Sequence, residues 1–443
     1  MSCRSITKEA YEMFGRFNCA YSIHNFSHAY SSQDKTLSCV CVEDMLICDM
    51  SVHIGMLMRL ITIVLFLMAS LQASRLELRL TQAQKSLWPI ALQVDSRISK
   101  TISEVLEQDI KLSGALTLDP QRAQATYVIE PCDQNVCIGR TGLTQKAVIA
   151  GSGSDVMLAH HLMDYVMQDA LGTPGWFHHR LAYVITEGNN LKDRRYRLEV
   201  SDILGQEVHT LFKSSEPIMS PAWSHSGDKL AYVSFEEQRP TLWVQELNSG
   251  KRWQVSAEPG INGAPAWSPD DKQMALVLSK SGTPKLFLLN IESGDLKQLT
   301  SGSSIDTEPQ WMEDGSSLVF TSSRSGTPQI YQYYLQQGKI ERITFHPGAH
   351  VRPTLGGAHR MLTLSKEQRW GVLFHDLAND QQRYLSASGS EDQPMLHPQG
   401  YLAIYTKRFG SQTMLEIAHV SDSIRYRLPA SSGFIRFPTW SHS

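Results

Sequence analysis

Pro-Ala-Trp-Ser-His-Ser-Gly-Asp-Lys-Leu-Ala-Tyr-Val, residues 221–233, recurs along the chain in diluted form. Trp223 returns as Trp267 and Trp311, each in a Pro-x-Trp setting and 44 residues from the last. The count continues to Pro353-Thr354-Leu355, Pro394-Met395-Leu396 and Pro438-Thr439-Trp440, six copies in all. A period of about 40–50 residues with one landmark per unit is the signature of stacked supersecondary units, most often propeller blades.

One repeat reads as four strands. Ala264 to Ser268, Met274 to Leu278, Leu286 to Ile291 and Leu296 to Thr300 are separated by turn residues at Pro269-Asp270-Asp271, Ser281-Gly282-Thr283-Pro284 and Ser293-Gly294. The first repeat lacks a Pro-x-Trp strand, opening directly at Leu181-Ala182-Tyr183-Val184, and the last is nothing but one. Joined, Trp440-Ser441-His442-Ser443 and His178-His179-Arg180-Leu181 rebuild the unit seen at 223–233. The expected fold is therefore mixed: a small N-terminal α/β domain, then an all-β six-bladed β-propeller closed by the C-terminal strand, which removes open sheet edges. WD-repeat propellers share the period but carry Gly-His and Trp-Asp landmarks that this chain lacks.

The chain has 443 residues and a net charge of -3, with 41 basic and 44 acidic residues, which gives no electrostatic basis for nucleic-acid binding. Five of its seven cysteines, Cys3, Cys19, Cys39, Cys41 and Cys48, precede residue 56. After them, Met58-Arg59 supplies a positive start, Leu60 to Leu71 an apolar run and Leu71-Gln72-Ala73 a small-residue exit, the pattern of a cleaved secretory signal. The run is too short for a bilayer span of about 20 residues. The expected organisation is a non-native upstream extension over 1–55, with translation starting at Met56 or Met58, a signal peptide over 56–73, the α/β domain over 74–177 and the propeller over 178–443. Cys132 and Cys137 flank a turn; in an oxidising compartment they can pair, and zinc is the other use open to them.

Between Ser74 and Phe177, strands are expected at Leu76 to Leu80, Ile90 to Val94, Thr126 to Glu130, Ile138 to Leu143 and Lys146 to Ala150. One helix carries Ile98, Ile102, Val105, Leu106 and Ile110 and ends at Gly114; a second, capped by Asp155, carries Val156, Ala159, Leu162, Met163, Val166 and Ala170.

Several stretches carry a closer likeness: Met219 to Ser224, Asn262 to Ala266, Asp306 to Pro309, Gln329-Ile330-Tyr331, Arg427 to Ala430 and Phe437 to Ser441. From about Ala73 onward the chain resembles the TolB family of the Tol-Pal envelope system. The resemblance implies a periplasmic, non-enzymatic protein without cofactors, which binds the outer-membrane lipoprotein Pal through its propeller. It further implies communication with the inner-membrane protein TolA through the N-terminal region, in outer-membrane invagination at cell division and outer-membrane integrity; other envelope lipoproteins and porins are further partners to consider. Two departures stand out. The α/β domain is shorter than the family's between Pro120 and Ala125, and Leu355 and Leu396 replace the landmark Trp.

With the Pro-x-Trp strand innermost, six lead-in loops converge on one opening, over 217–220, 261–264, 305–308, 350–352, 391–393 and 434–437. The expected Pal-binding residues are Asn262, Ala264, Asp306, Thr307, Glu308, His350 and Arg352. The segment Arg75, Leu76, Glu77, Leu78 and Arg79 resembles the family's N-terminal switch, although an ordinary edge strand explains its alternation equally well. A serine-hydrolase reading lacks the Gly-x-Ser-x-Gly elbow, and His160-His161 lacks a zincin Glu, so no metal is expected. A propeller hydrolase with metal held by Asp306, Glu308, Glu391 and Asp392, or a general periplasmic scaffold binding peptides or sugars in the tunnel, remains as the alternative.

Overall fold

The structure, a computed structural model, describes residues 87–443 apart from 134, 144–145, 150–152, 189, 191–192, 411, 422–424, 429–432 and 443. The expected 1–55 extension, the 56–73 signal peptide and the switch segment Arg75–Arg79 lie outside the described residues. No helix among the described residues is long and apolar enough to cross a membrane.

The first part is a five-stranded sheet in the order Leu116–Leu118, Trp88–Val94, Ala125–Cys132, Asn135–Arg140, Ala147–Ile149. Its first two pairings are parallel and the others antiparallel. Parallel neighbours need a crossover, and helix α1 (Lys100–Ser113) supplies it between Trp88–Val94 and Leu116–Leu118. Ile102, Val105, Leu106 and Ile110 form its buried face at helical spacing. The Ser99 side chain caps its start, and Gly114 ends it at φ 64°, in the left-handed region that costs glycine nothing. Helix α2 (Asp155–Leu171) buries Val156, Ala159, Leu162, Met163 and Val166.

The expected cap of α2 is corrected by one residue. Ser154 accepts the N–H of Met157, and Asp155 is the first helical residue, where its charge favours the positive helix end. The strand expected to run to Leu143 stops at Arg140, and the strand Leu116–Leu118 was not anticipated, because three residues are too few to display a period of two. Cys132 and Cys137 are joined by a disulfide across the hairpin between the third and fourth strands of the sheet.

From Leu181 onward the chain is a β-propeller. Four antiparallel sheets of four strands begin with Ile218–Trp223, Asn262–Trp267, Asp306–Trp311 and Ala349–Gly356. An eight-stranded sheet holds the remainder, from Glu391–Leu396 at one edge to His209–Ser214 at the other. Within it Phe434–Trp440 pairs antiparallel with Leu181–Glu187, placing Trp440 opposite Leu181. Each Pro-x-Trp strand touches the next, and Phe434–Trp440 touches both Glu391–Leu396 and Ile218–Trp223.

The second strands are buried on both faces, which is why they read as unbroken apolar runs and not as alternations; Leu230, Ala231, Tyr232 and Val233 are all buried. Tryptophan adds a stitch between neighbours. The indole N–H of Trp267 donates to the Ala222 carbonyl at 3.2 Å, and that of Trp311 to the Ala266 carbonyl at 3.0 Å. In the Leu396 repeat a different bond joins the neighbours, from the Leu396 N–H to the Thr354 hydroxyl at 2.9 Å.

The propeller meets the α/β part through a fully buried cluster. His160 of α2 places Nδ1 2.8 Å from Asp109 of α1 and Nε2 3.4 Å from Asp202, in the turn after Arg195–Ser201. Burial alone would lower the imidazole, but the flanking carboxylates outweigh it and lift it to about 9. Burial raises Asp109 to about 6. Asp202 also accepts the N–H groups of Leu204, Gln206 and Glu207.

Candidate functional site

The six stretches expected as loops are the first halves of the Pro-x-Trp strands. The structure corrects the expectation because each strand continues through the stretch by way of a β-bulge at the residue before proline. Ser220, Ala264, Glu308, Arg352, Gln393 and Phe437 all have positive φ, between 46° and 56°. Register shifts at the same place in every copy. Non-glycine residues rarely adopt this conformation, which costs about 1–2 kcal/mol each. Six equivalent bulges therefore form a designed feature of the rim.

The expected Pal-binding residues divide into two kinds. Asn262, Asp306 and His350 are buried, at 2%, 0% and 2% exposure, and each is hydrogen-bonded locally, although His350 Nε2 has no hydrogen-bond partner among the described residues. The Asn262 amide oxygen accepts from Ser256 Oγ at 2.7 Å and the Glu258 N–H at 3.0 Å. Asp306 accepts from Ser322 Oγ at 2.6 Å and Arg324 Nη2 at 3.0 Å, with Lys285 Nζ at 3.3 Å. His350 Nδ1 meets Ser365 Oγ at 2.9 Å, and burial holds the imidazole down at about 4, neutral. Glu391 takes the same place in its repeat, bonded to the Ser388 hydroxyl at 2.6 Å and to the N–H of Gly389 at 3.0 Å, beside Lys407 at 3.0 Å. These hydrogen bonds and Lys407 hold its carboxyl at about 2 despite burial. Such side chains fix the backbone ahead of each bulge and are not free to reach a partner.

Ala264, Thr307, Glu308 and Arg352 are half-buried, with Ala264 packed against the cluster of Val277, Phe320 and Tyr331. Glu308 and Arg352 come together: the Arg352 N–H donates to Glu308 Oε2 at 2.9 Å, and its Nε lies 3.3 Å from Glu308 Oε1 and 3.7 Å from Asp392 Oδ1. Ala264 and Thr307 make no such link to them. Asp392 and Gln393 belong to the same arrangement but were not among the expected contacts. Gln393 Oε1 accepts the N–H of Phe437 at 2.5 Å, the same latch between consecutive pre-proline residues that Glu308 makes to Arg352. Gln393, like Glu308 and Arg352, stands immediately before its repeat's proline, with Asp392 one residue further back, and that position is the one mark the sequence carries of them. The carboxylates considered for metal are each met by a cation: Asp306 by Lys285 and Arg324, Glu391 by Lys407, and Glu308 and Asp392 by Arg352.

These features define a β-propeller whose first sheet is completed by the C-terminal strand and whose rim is a set of bulged strand starts, with Glu308 latched to Arg352 and Gln393 to Phe437. Residues 168–443 match the family described as TolB beta propeller domain, and the chain belongs to the TolB family. It is 53% identical over 287 residues to the Tol-Pal system protein TolB of Coxiella burnetii, covering 64% of this chain and 66% of that protein. To the Tol-Pal system protein TolB of Legionella pneumophila it is 35% identical over 235 residues, covering 46% and 56%. The matched stretches thus span between about half and two thirds of these relatives. Among solved structures, TolB from Acinetobacter baumannii superposes with a TM-score of 0.72 at 28% identity, covering 81% of this chain and 98% of that one.

Proposed function

We propose that this chain is a non-enzymatic periplasmic component of the Tol-Pal system that binds the lipoprotein Pal on the bulged rim, while its N-terminal region communicates with TolA. In that role it supports outer-membrane invagination during division and outer-membrane integrity. The observation that carries the reading is the rim itself. Its buried anchors, polar in four repeats and Ile218 and Ile435 in the other two, precede six backbone bulges at positive φ, so the half-buried Thr307, Glu308 and Arg352 offer donors and acceptors to a partner at little ordering cost. Pairing of the rim carboxylates with Lys285, Arg324, Arg352 and Lys407 favours a recognition surface over a metal-dependent hydrolase.

The reading includes six blades. In support, the eight-stranded sheet divides naturally where Thr413 and Phe434 form the single pairing between Gln412–His419 and Phe434–Trp440. The six Pro-x-Trp strands also touch in one cycle. To test the rim, Thr307→Arg and Ala264→Arg are compared with the unaltered chain for Pal binding by calorimetry and for melting temperature. Lost binding with little change in melting is expected. Intact binding in both variants removes Pal from this rim.

A further inference from the structure

Helix α2 and the linker that follows it build a second cluster, remote from the rim. Asp164 Oδ1 accepts the N–H of Phe177 at 2.8 Å, and Oδ2 accepts the N–H of His178 at 3.2 Å and also meets His178 Nδ1. The linker lies so close to the helix that a Cβ on Gly175 would fall 2.2 Å from the Asp164 Cα, so only glycine fits there. Gly175 is held from the other side by Gln399, whose Nε2 donates to its carbonyl at 2.9 Å. This folding-back stacks the His178 ring on His161, with centroids 5.3 Å apart and planes at 16°.

His161 and Asp164 are three residues apart on one helical face, so their side chains are neighbours. One ligand atom from each of His161, Asp164 and His178 lies within 4.8 Å of the other two. His161 is exposed, and Asp164 and His178 are partly so. The geometry points to a binding site for a borderline divalent transition ion, Zn²⁺ above all, with His161, Asp164 and His178 as protein ligands and the remaining position open to solvent. Two imidazoles and one carboxylate are the donor set such ions favour over magnesium or calcium. Tetrahedral bonds of about 2.0–2.1 Å place ligand atoms about 3.3 Å apart, so the hydrogen-bonded His178 Nδ1 and Asp164 Oδ2 have to part slightly to admit the ion while the exposed His161 ring turns toward it. The ion takes the place of the proton between His178 Nδ1 and Asp164 Oδ2. Because the backbone around Asp164 is already fixed, loading ties the linker to α2 and stiffens the passage into the first propeller strand at Leu181.

The experiment uses the full chain stripped of metal by chelation, titrated with Zn²⁺ against a chromophoric competitor and followed in parallel by thermal melting. The expected result is binding in the micromolar range or tighter, with a melting temperature that rises with Zn²⁺ concentration by linkage. His161→Ala and His178→Ala should each weaken that binding at least roughly tenfold and remove the thermal shift. His225→Ala, which disrupts the separate His225–His442 stack, should leave both unchanged. Absence of binding tighter than about 100 µM overturns the proposal, as does binding that survives both His161→Ala and His178→Ala. Since His161 is exposed, its alanine variant folds, and a loss there reads the site and not the fold.

Discussion

Replacing Trp440 by alanine should destabilise the propeller far more than a change three residues from Ser443 would by position alone. The indole is 2% exposed and packs in the cluster containing Leu181, Leu402 and Ile404, with His397 edge-on at 5.0 Å. Truncating a buried Trp in such a core costs about 3–5 kcal/mol, which for a chain of this size lowers the melting temperature by about 5 °C. Deleting 434–443 removes more: the buried Ile435, the pairing with Leu181–Glu187, and the bonds of Ser441 to Arg180 and His179 at 2.8–2.9 Å. Against a typical total of about 5–15 kcal/mol, that leaves little net stability. The indole N–H of Trp440 has no hydrogen-bond partner among the described residues, so Trp440→Phe should recover most of the loss. Urea unfolding followed by circular dichroism gives the energies, with the half-buried Trp253 on an outer strand as control. A Trp440→Ala cost below about 1 kcal/mol, or no larger than that of Trp253→Ala, would refute the view that the C-terminal strand completes the first sheet as a core element.

The bulges make an opposite prediction. Ala264→Gly removes a left-handed alanine at φ 46° and should be neutral or stabilising by up to about 1 kcal/mol, whereas Ala266→Gly in the same strand should destabilise; denaturant midpoints distinguish them. His160→Ala leaves Asp109 and Asp202 buried beside each other without their cation and should cost about 3–5 kcal/mol, measured by the same unfolding series. Burial lowers His350 to about 4 and His375 to about 3 from an ordinary 6.5, and the two are linked through Ser365 and Thr363. Because their folded values lie below the unfolded one, their contribution is complete above pH 6.5 and is lost as pH falls toward 4. At pH 5 His375 alone gives up about 2 kcal/mol, and His375→Gln should flatten the fall in melting temperature between pH 7 and 5.

The repeat and the joining of its ends were legible because both rest on side chains that recur. Trp223, Trp267 and Trp311 mark the strands, and the halves at Trp440 and Leu181 complete one unit that the ladder then pairs residue against residue. The bulge was not legible. Its residues, Ser220, Ala264, Glu308, Arg352, Gln393 and Phe437, share no chemistry, and what they share is a backbone angle. Nor could polarity separate anchors from contacts. Asp306 and Glu308 look alike in sequence, yet one is fully buried between Lys285 and Arg324 and the other lies half-buried beside Arg352. His178 escaped notice beside His160-His161 because its partnership with His161 depends on the linker folding back at Gly175.

The two ends of each Pro-x-Trp strand do different work, and the bulge is what lets them. Side chains alternate across a strand, so one extra residue reverses the alternation for everything beyond it. Before the bulge, the register buries Asn262, Asp306, His350 and Glu391 as anchors; after it, the register carries Trp267 and Trp311 into contact with the preceding repeat. The Trp end is also the end that meets the α/β part: Trp440 and His397 pack beside His179 and Trp176, and Asp202, at the same end as Leu181, receives His160. Six residues of strand span roughly 20 Å, so the rim lies about that far from the α/β contacts, at the opposite end of the same strands. A partner on the rim therefore leaves the α1–α2 side uncovered. An influence of one on the other carried by these strands would pass a bulge already held at positive φ, where a change would reorient anchor and tryptophan together.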